Sequence, residues 1–222
     1  VIASKSYCQV IAPSTFTNAI TVSGEVAGTE FNDWTTAGIP IAFTDAADNP
    51  GGIDINEIQV ANDNDFLYIR ATFHGANSLG GYVSLDTDQD AFTGYDLFGL
   101  AALGAELSYV NDFAFEQELD VFNTGDALTG GAFSNGGALM FPDWQTDGSQ
   151  REWAIPLDAA FTNPDAPAIP NDTFNFWLWT DGLDTDVPSD GSGIPVTISY
   201  TLATNGMGGA LNCDADGAAA CD

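Results

Sequence analysis

Positive charge is what this 222-residue chain has least of. Lys5, Arg70 and Arg151 are its permanent cations, against 32 acidic groups, for a formal net charge of −29 at pH 7. Such a surface repels phosphate backbones and excludes a general nucleic-acid binder. Histidine is almost missing as well. His74 stands alone, so a Ser-His-Asp or Cys-His arrangement has one place to form, and no G-x-S-x-G accompanies it. His74 reads as a strand-end surface residue and the chain as a non-enzyme. No run of about 18 apolar residues exists, so no membrane span is expected. Cysteine is limited to Cys8, Cys213 and Cys221, without the CxxC pair or second histidine of a structural zinc site. All three are disulfide candidates. One bridge can form in three ways, leaving one thiol to be buried or to bond another chain.

What is abundant is apolar and aromatic: 45% hydrophobic residues and 12% aromatics, ample for a core and unlike an acidic disordered tail. Short alternating or β-branched runs, separated by Gly, Asn, Asp and Pro, dominate. They predict strands at Ser6–Ile11, Ala19–Val26, Glu57–Ala61, Phe66–Phe73, Tyr82–Leu85, Ala105–Val110, Phe115–Phe122, Glu152–Pro156, Phe174–Trp179 and Val196–Leu202. Leu157–Phe161 is the one stretch with short-helix character. Asn62-Asp63-Asn64-Asp65 reads as a tight hairpin turn, since these side chains bond their own backbone. In the strand after it, Leu67, Ile69, Ala71 and Phe73 share one face, and both faces carry bulk, as in a central strand. The fold class is all-β: a single jelly-roll-type β-sandwich of about ten strands with ordered terminal extensions. It divides into an N-terminal strand segment (1–18) that is a candidate for exchange between subunits, the sandwich (19–202), and a Gly/Ala/Asp-rich tail (203–222).

The acids are mostly aspartate, and they cluster. In Leu85-Asp86-Thr87-Asp88-Gln89-Asp90-Ala91-Phe92-Thr93-Gly94-Tyr95-Asp96, alternate carboxylates at Asp86, Asp88 and Asp90 can turn inward around one hard cation. Calcium takes six to eight oxygens and tolerates irregular geometry. Gly94 permits the loop to curl, backbone oxygens near Thr93 add ligands, and Asp96 completes the shell. The spacing is not that of an EF-hand. A second, weaker cluster is Asp181, Asp184, Asp186 and Asp190. Asp45/Asp48, Asp63/Asp65 and Asp214/Asp216 read as turn chemistry. With so few lysines and arginines, calcium is the expected cofactor. Of five tryptophans, Trp177 and Trp179 share one strand face, with Phe174 and Phe176 on the other. Trp34 and Trp144 sit in polar, loop-like surroundings, which with Trp179 makes them the candidates for stacking on a sugar ring. Asn171-Asp172-Thr173 is a glycosylation sequon.

Asp33-Trp34, Glu57-Ile58-Gln59-Val60-Ala61-Asn62-Asp63 and Phe66-Leu67-Tyr68-Ile69-Arg70 together resemble the opening of the family 9 carbohydrate-binding-module-like (DOMON-like) β-sandwiches. Leu85-Asp86-Thr87-Asp88 with Thr93-Gly94-Tyr95, and Arg151-Glu152-Trp153-Ala154-Ile155-Pro156-Leu157, are similar to that pattern too. The resemblance spans roughly residues 20–202. It implies a secreted jelly roll, often with bound calcium, in which some members bind sugars. The family's paired sugar-clamping tryptophans have no assigned positions in this chain.

Two functions follow. The first is a secreted, calcium-stabilised structural protein, extracellular or at the cell surface, that self-associates into a homopolymer such as a fibre, sheath or surface layer. The alternative is a calcium-dependent carbohydrate-binding module with a glycan as partner. The packing of Val1–Ala12, in its own sandwich or in a neighbour's, is the observation that bears most on the choice.

Overall fold

A computed structural model describes residues 8–21, 32–49, 52, 54–75, 81–90, 105–111, 119–123, 139–142, 150–158, 160–162, 165–167, 169–180, 188–189 and 196–205. Among these, the elements in chain order are β1 (Cys8–Ile11), α1 (Asn32–Ala37), β2 (Ile41–Thr44), β3 (Ile55–Asn62), β4 (Phe66–Phe73), β5 (Gly81–Asp86) and β6 (Leu107–Asn111). They continue as β7 (Leu119–Asn123), β8 (Leu139–Pro142), β9 (Gln150–Pro156), β10 (Ala160–Thr162), β11 (Asp165–Pro167), β12 (Thr173–Thr180) and β13 (Val196–Thr201). One sheet has the order β1-β13-β12-β5-β6-β7, the other β2-β3-β4-β9-β8, and β10-β11 form a separate hairpin. The strand pairs are antiparallel except β1 with β13, where Cys8 lies opposite Val196 and Ile11 opposite Ser199. The all-β sandwich expected from the alternation is therefore what the chain forms.

Each long strand is placed by its apolar side chains. In β4, Leu67, Ile69, Ala71 and Phe73 enter the core between the sheets, where they meet Ile58 and Val60 from β3 and Trp153 and Ile155 from β9. The facing sheet contributes Val83 and Leu85 from β5, Phe174, Phe176 and Leu178 from β12, and Val196, Ile198 and Tyr200 from β13. Tyr68, on the other face of β4, joins a second cluster with Ala61, Ala154, Ile20, Ile39 and Trp34. The inter-sheet core covers one face of β4 and this second cluster the other, which is why both of its faces carry bulk. The turn from β3 to β4 is the anticipated hairpin. Asp63 Oδ1 accepts the N–H groups of Asp65 and Phe66, each at 2.7 Å, and Oδ2 accepts the Tyr68 hydroxyl at 2.7 Å.

Three readings of the sequence change. Residues 19–21 of the expected strand Ala19–Val26 have no strand structure. Ile20 instead packs against Trp34, and the Thr21 N–H donates to Asp33 Oδ2 at 2.7 Å, so this stretch covers the outer face of the five-stranded sheet. Leu157–Phe161 is not helical: residues 157–158 are a turn and Ala160–Thr162 is β10. The Leu157 N–H is taken by the Asp65 carbonyl at 2.8 Å, which leads the chain out of β9 rather than into a helix. The helix that does form, α1, was not expected. The β1 strand pairs with β13 of its own chain, and the Ala12 N–H extends that pairing to the Ser199 carbonyl at 2.9 Å. Cys8 is a free, half-buried thiol; Cys213, Cys221, residues 1–7 and residues 206–222 lie outside the described residues.

Candidate functional site

The candidate site is built where β5 ends and the chain returns to β6. Pairing of Leu85 with Leu107, and a hydrogen bond from the Glu106 N–H to the Leu85 carbonyl at 3.0 Å, set Glu106 beside the Asp86–Asp88 turn. The Glu106 carboxylate accepts the Thr87 N–H through Oε2 at 2.8 Å. The turn curls at Gln89, a non-glycine residue with φ of 62°. That left-handed conformation is uncommon for a residue with a Cβ. Asp88 Oδ1 then accepts the Asp90 N–H at 2.8 Å. Asn171 donates its side-chain amide to the Thr87 carbonyl at 3.1 Å, pinning the turn to the chain that leads into β12.

Here one carboxylate oxygen from each of Asp86, Asp88 and Glu106 lies within 4.8 Å of the other two. Asp86 and Glu106 are buried and Asp88 is exposed, so the group opens to solvent on one side. Asp86 sits across from Asn175 on β12, whose amide donates to its Oδ2 at 3.0 Å. Its other oxygen, Oδ1, is buried with no hydrogen-bond partner. Burial raises the Asp86 pKa to about 6, with the Asn175 hydrogen bond opposing the shift and the Asp88 charge adding to it. An unmet buried carboxylate oxygen is costly, and neighbouring acids add repulsion. A hard cation removes both penalties. Calcium holds its oxygens at about 2.3–2.6 Å, so oxygens within 4.8 Å of one another are close enough to share one ion. The donor set, all oxygen, fits calcium or another hard ion rather than a soft metal.

Asp86 and Asp88 belong to the group, whereas Asp90 is exposed and lies outside it. The third carboxylate, Glu106, was missed by the sequence reading, because only strand register brings it near. Thr93 and Asp96, with the Gly94 hinge, and the second cluster at Asp181, Asp184, Asp186 and Asp190, fall outside the described residues, as does Trp144.

Two of the three tryptophans offered for sugar stacking are buried. Trp34 is wholly buried. It is carried on α1 against the outer face of the five-stranded sheet, and its indole N–H donates to Glu152 Oε2 at 2.7 Å. Trp179 is 2% exposed and donates to Ser84 Oγ at 3.0 Å. Trp177 and Trp179 do lie on the face of β12 away from Phe174, Phe176 and Leu178, which enter the core, but both are buried. Neither Trp34 nor Trp179 presents a ring face to a ligand in this arrangement. His74 is exposed, and its Nε2 lies 3.3 Å from the Asp45 carbonyl, a strand-end contact as expected. No helix among the described residues is long and apolar enough to cross a membrane.

No family model matches the chain, and no curated protein matches it either. Among solved structures it is similar to a carbohydrate binding module family 9 from Caldicellulosiruptor kristjanssonii in complex with glucose, at 16% identity and a TM-score of 0.49, over 89% of this chain and 97% of that one. It is also similar to a carbohydrate binding module family 9 from the same organism in complex with cellotriose, at 16% identity and a TM-score of 0.46, over 89% and 95% of the two chains.

Proposed function

We propose that this chain is a non-catalytic, calcium-stabilised β-sandwich that binds carbohydrate outside the cell. The observation that carries the cation half is the convergence of Asp86, Asp88 and Glu106, with one buried Asp86 oxygen left without a hydrogen-bond partner. A site of three carboxylates, open on one side, suits the weak calcium affinities of extracellular modules, about 10⁻⁴–10⁻³ M. The carbohydrate half is supported by the sequence resemblance to family 9 modules. Much of that resemblance falls on framework residues: Trp34 and Glu152 bond each other, and Asp63 closes the hairpin. The resemblance therefore speaks for the scaffold, and the sugar-contacting residues have to be found by experiment.

Glucose and cellotriose are the first probes. Calorimetric titration of the full chain in millimolar calcium is expected to show binding of a soluble glucan. No heat with any glucan tested removes the carbohydrate half. Separately, thermal melts in calcium and in EGTA are expected to differ, and to differ less in Asp88→Asn. Coincident melts remove the cation half.

The structural-subunit reading keeps one favourable observation. Ile11 is 81% and Ile41 48% exposed, the large hydrophobics left in solvent among the described residues. They lie on the edge strands β1 and β2, one in each sheet, which approach each other. Light scattering in calcium tests it: growth of large species that Ile11→Lys abolishes favours a polymer, and a constant monomer mass rejects it.

A further inference from the structure

The neck of the β2–β3 connection holds a second pair of buried acids. Asp45 follows β2 directly and Asp54 precedes β3. They are 3% and 8% exposed. The Asp45 N–H donates to the Asn56 carbonyl at 2.7 Å, which closes the neck. The pairing of Ile55 with Phe73 brings His74 beside Asp54, whose carbonyl accepts the His74 N–H at 2.9 Å.

Each acid is half satisfied. Asp45 Oδ1 accepts the N–H groups of Ala46 at 3.0 Å and Ser189 at 3.2 Å. Asp54 Oδ2 accepts the Asn49 N–H at 3.3 Å. The remaining oxygens, Asp45 Oδ2 and Asp54 Oδ1, are buried and have no hydrogen-bond partner. Exposed Asp48 stands at the rim, its Oδ2 accepting the Ser189 hydroxyl at 3.0 Å. Asp48 and Asp54 act on Asp45 as like charges. Two orphaned carboxylate oxygens amid repelling neighbours are the condition that a bound cation relieves and that protein donors here do not.

We propose that Asp45 and Asp54, with Asp48 at the rim, hold a second divalent cation at the end of the sandwich away from Asp86. The placement follows from register. Asp86 lies at the Thr173/Thr201 end of its sheet. Ser189 lies at the Val196 end, since the Val196 N–H bonds the Pro188 carbonyl at 2.7 Å. Asp86, Asp88 and Glu106 form the one group of three acids within 4.8 Å among the described residues, so the second site is wider, with water completing the shell. Calcium accepts such mixed coordination, whereas magnesium and zinc demand tighter geometry. Because Ser189 leads into the six-stranded sheet while Asp45 leaves the five-stranded one, an ion there clamps sheet to sheet.

The test is calcium binding to the full chain, by calorimetry and by sensitised terbium luminescence. It compares wild type with Asp54→Asn, Asp48→Asn, Asp88→Asn and Asp88→Asn/Asp54→Asn. Asp54→Asn is expected to lose one bound ion while the Asp88-dependent one remains, and the double variant to lose both. Asp48→Asn, exposed and harmless to the fold, is expected to weaken the same ion about tenfold. Wild-type stoichiometry and affinity in both Asp54→Asn and Asp48→Asn overturn the proposal. So does an Asp54→Asn protein that gains stability in EGTA yet binds as many ions as wild type, which assigns the pair a shared proton instead. If Asp54→Asn fails to fold, Asp48→Asn decides alone. Loss of the Asp88-dependent ion alone bears only on the first site.

Discussion

Tyr200 shows how single polar groups stitch this fold. It is fully buried on β13, and its hydroxyl lies 2.7 Å from Asn62 Oδ1 and 3.1 Å from the Thr15 carbonyl, accepting the Thr15 N–H at 3.3 Å. Asn62 in turn accepts the Ala203 N–H at 2.8 Å and donates to the Ala203 carbonyl at 3.0 Å, so the two sheets and the chain after β13 meet at one amide. Tyr200→Phe is expected to cost about 1–3 kcal/mol in urea unfolding, because it strands buried partners. Burial raises the Tyr200 pKa from 10.0 to about 12. The unfolded chain loses this proton first, so the stability it contributes is whole below pH 10 and is lost as pH climbs towards 12. That part of the alkaline decline should be missing in Tyr200→Phe. Legibility at this level was uneven. The D-x-D spacing exposed Asp86 and Asp88, but Glu106 shares no local pattern with them and is near only through the β5–β6 register. Trp34 was misread because its neighbours Asn32 and Asp33 are polar; in so short a helix one apolar residue facing the sheet leaves no periodicity to detect.

Strands of six or more residues were readable, since two or three alternations suffice to mark a face. β3, β4, β5, β9, β12 and β13 all fall within a residue or two of their expected spans. The ones that escaped, β2, β8, β10 and β11, are three or four residues long, too short for alternation to stand out from a loop. The β3–β4 hairpin gives a test of its turn. Asp63→Ala removes acceptors from Asp65, Phe66 and Tyr68 and should cost about 1–3 kcal/mol. Burial, then the Asp63 bond, holds the Tyr68 phenol well above its ordinary range, so the same variant should let Tyr68 ionise at lower pH in an ultraviolet titration. For α1, Trp34→Ala should cost about 3–5 kcal/mol, more than Trp34→Phe, which keeps the packing and loses the bond to Glu152. Equal losses in the two variants would mean that the indole N–H, rather than the ring, anchors the helix.

A charge of −29 on 222 residues makes the folded state repel itself. Raising sodium chloride from about 0.05 to 1 M shortens the Debye length to about 3 Å and should raise the melting temperature. If calcium binds at the proposed sites, millimolar calcium should do the same at far lower ionic strength. At 100 times its dissociation constant, one ion bound only to the native state adds about 2.7 kcal/mol. Equal gains from calcium and from sodium chloride of matched ionic strength would reduce the effect to general screening. The overall charge was plain from composition. The nearness of Asp45 and Asp54 was not, because they lie nine positions apart in sequence and approach only across the neck of a loop. The parallel pairing of β1 with β13 carries a mechanical consequence. Tension entering at Cys8 and leaving at Thr201 pulls the two strands along their length in opposite senses. The rungs from Cys8–Val196 to Ile11–Ser199 then share the load and slide together instead of unzipping in turn, so a tethered molecule should resist stretching far better from these two points than across the Asn62 hairpin.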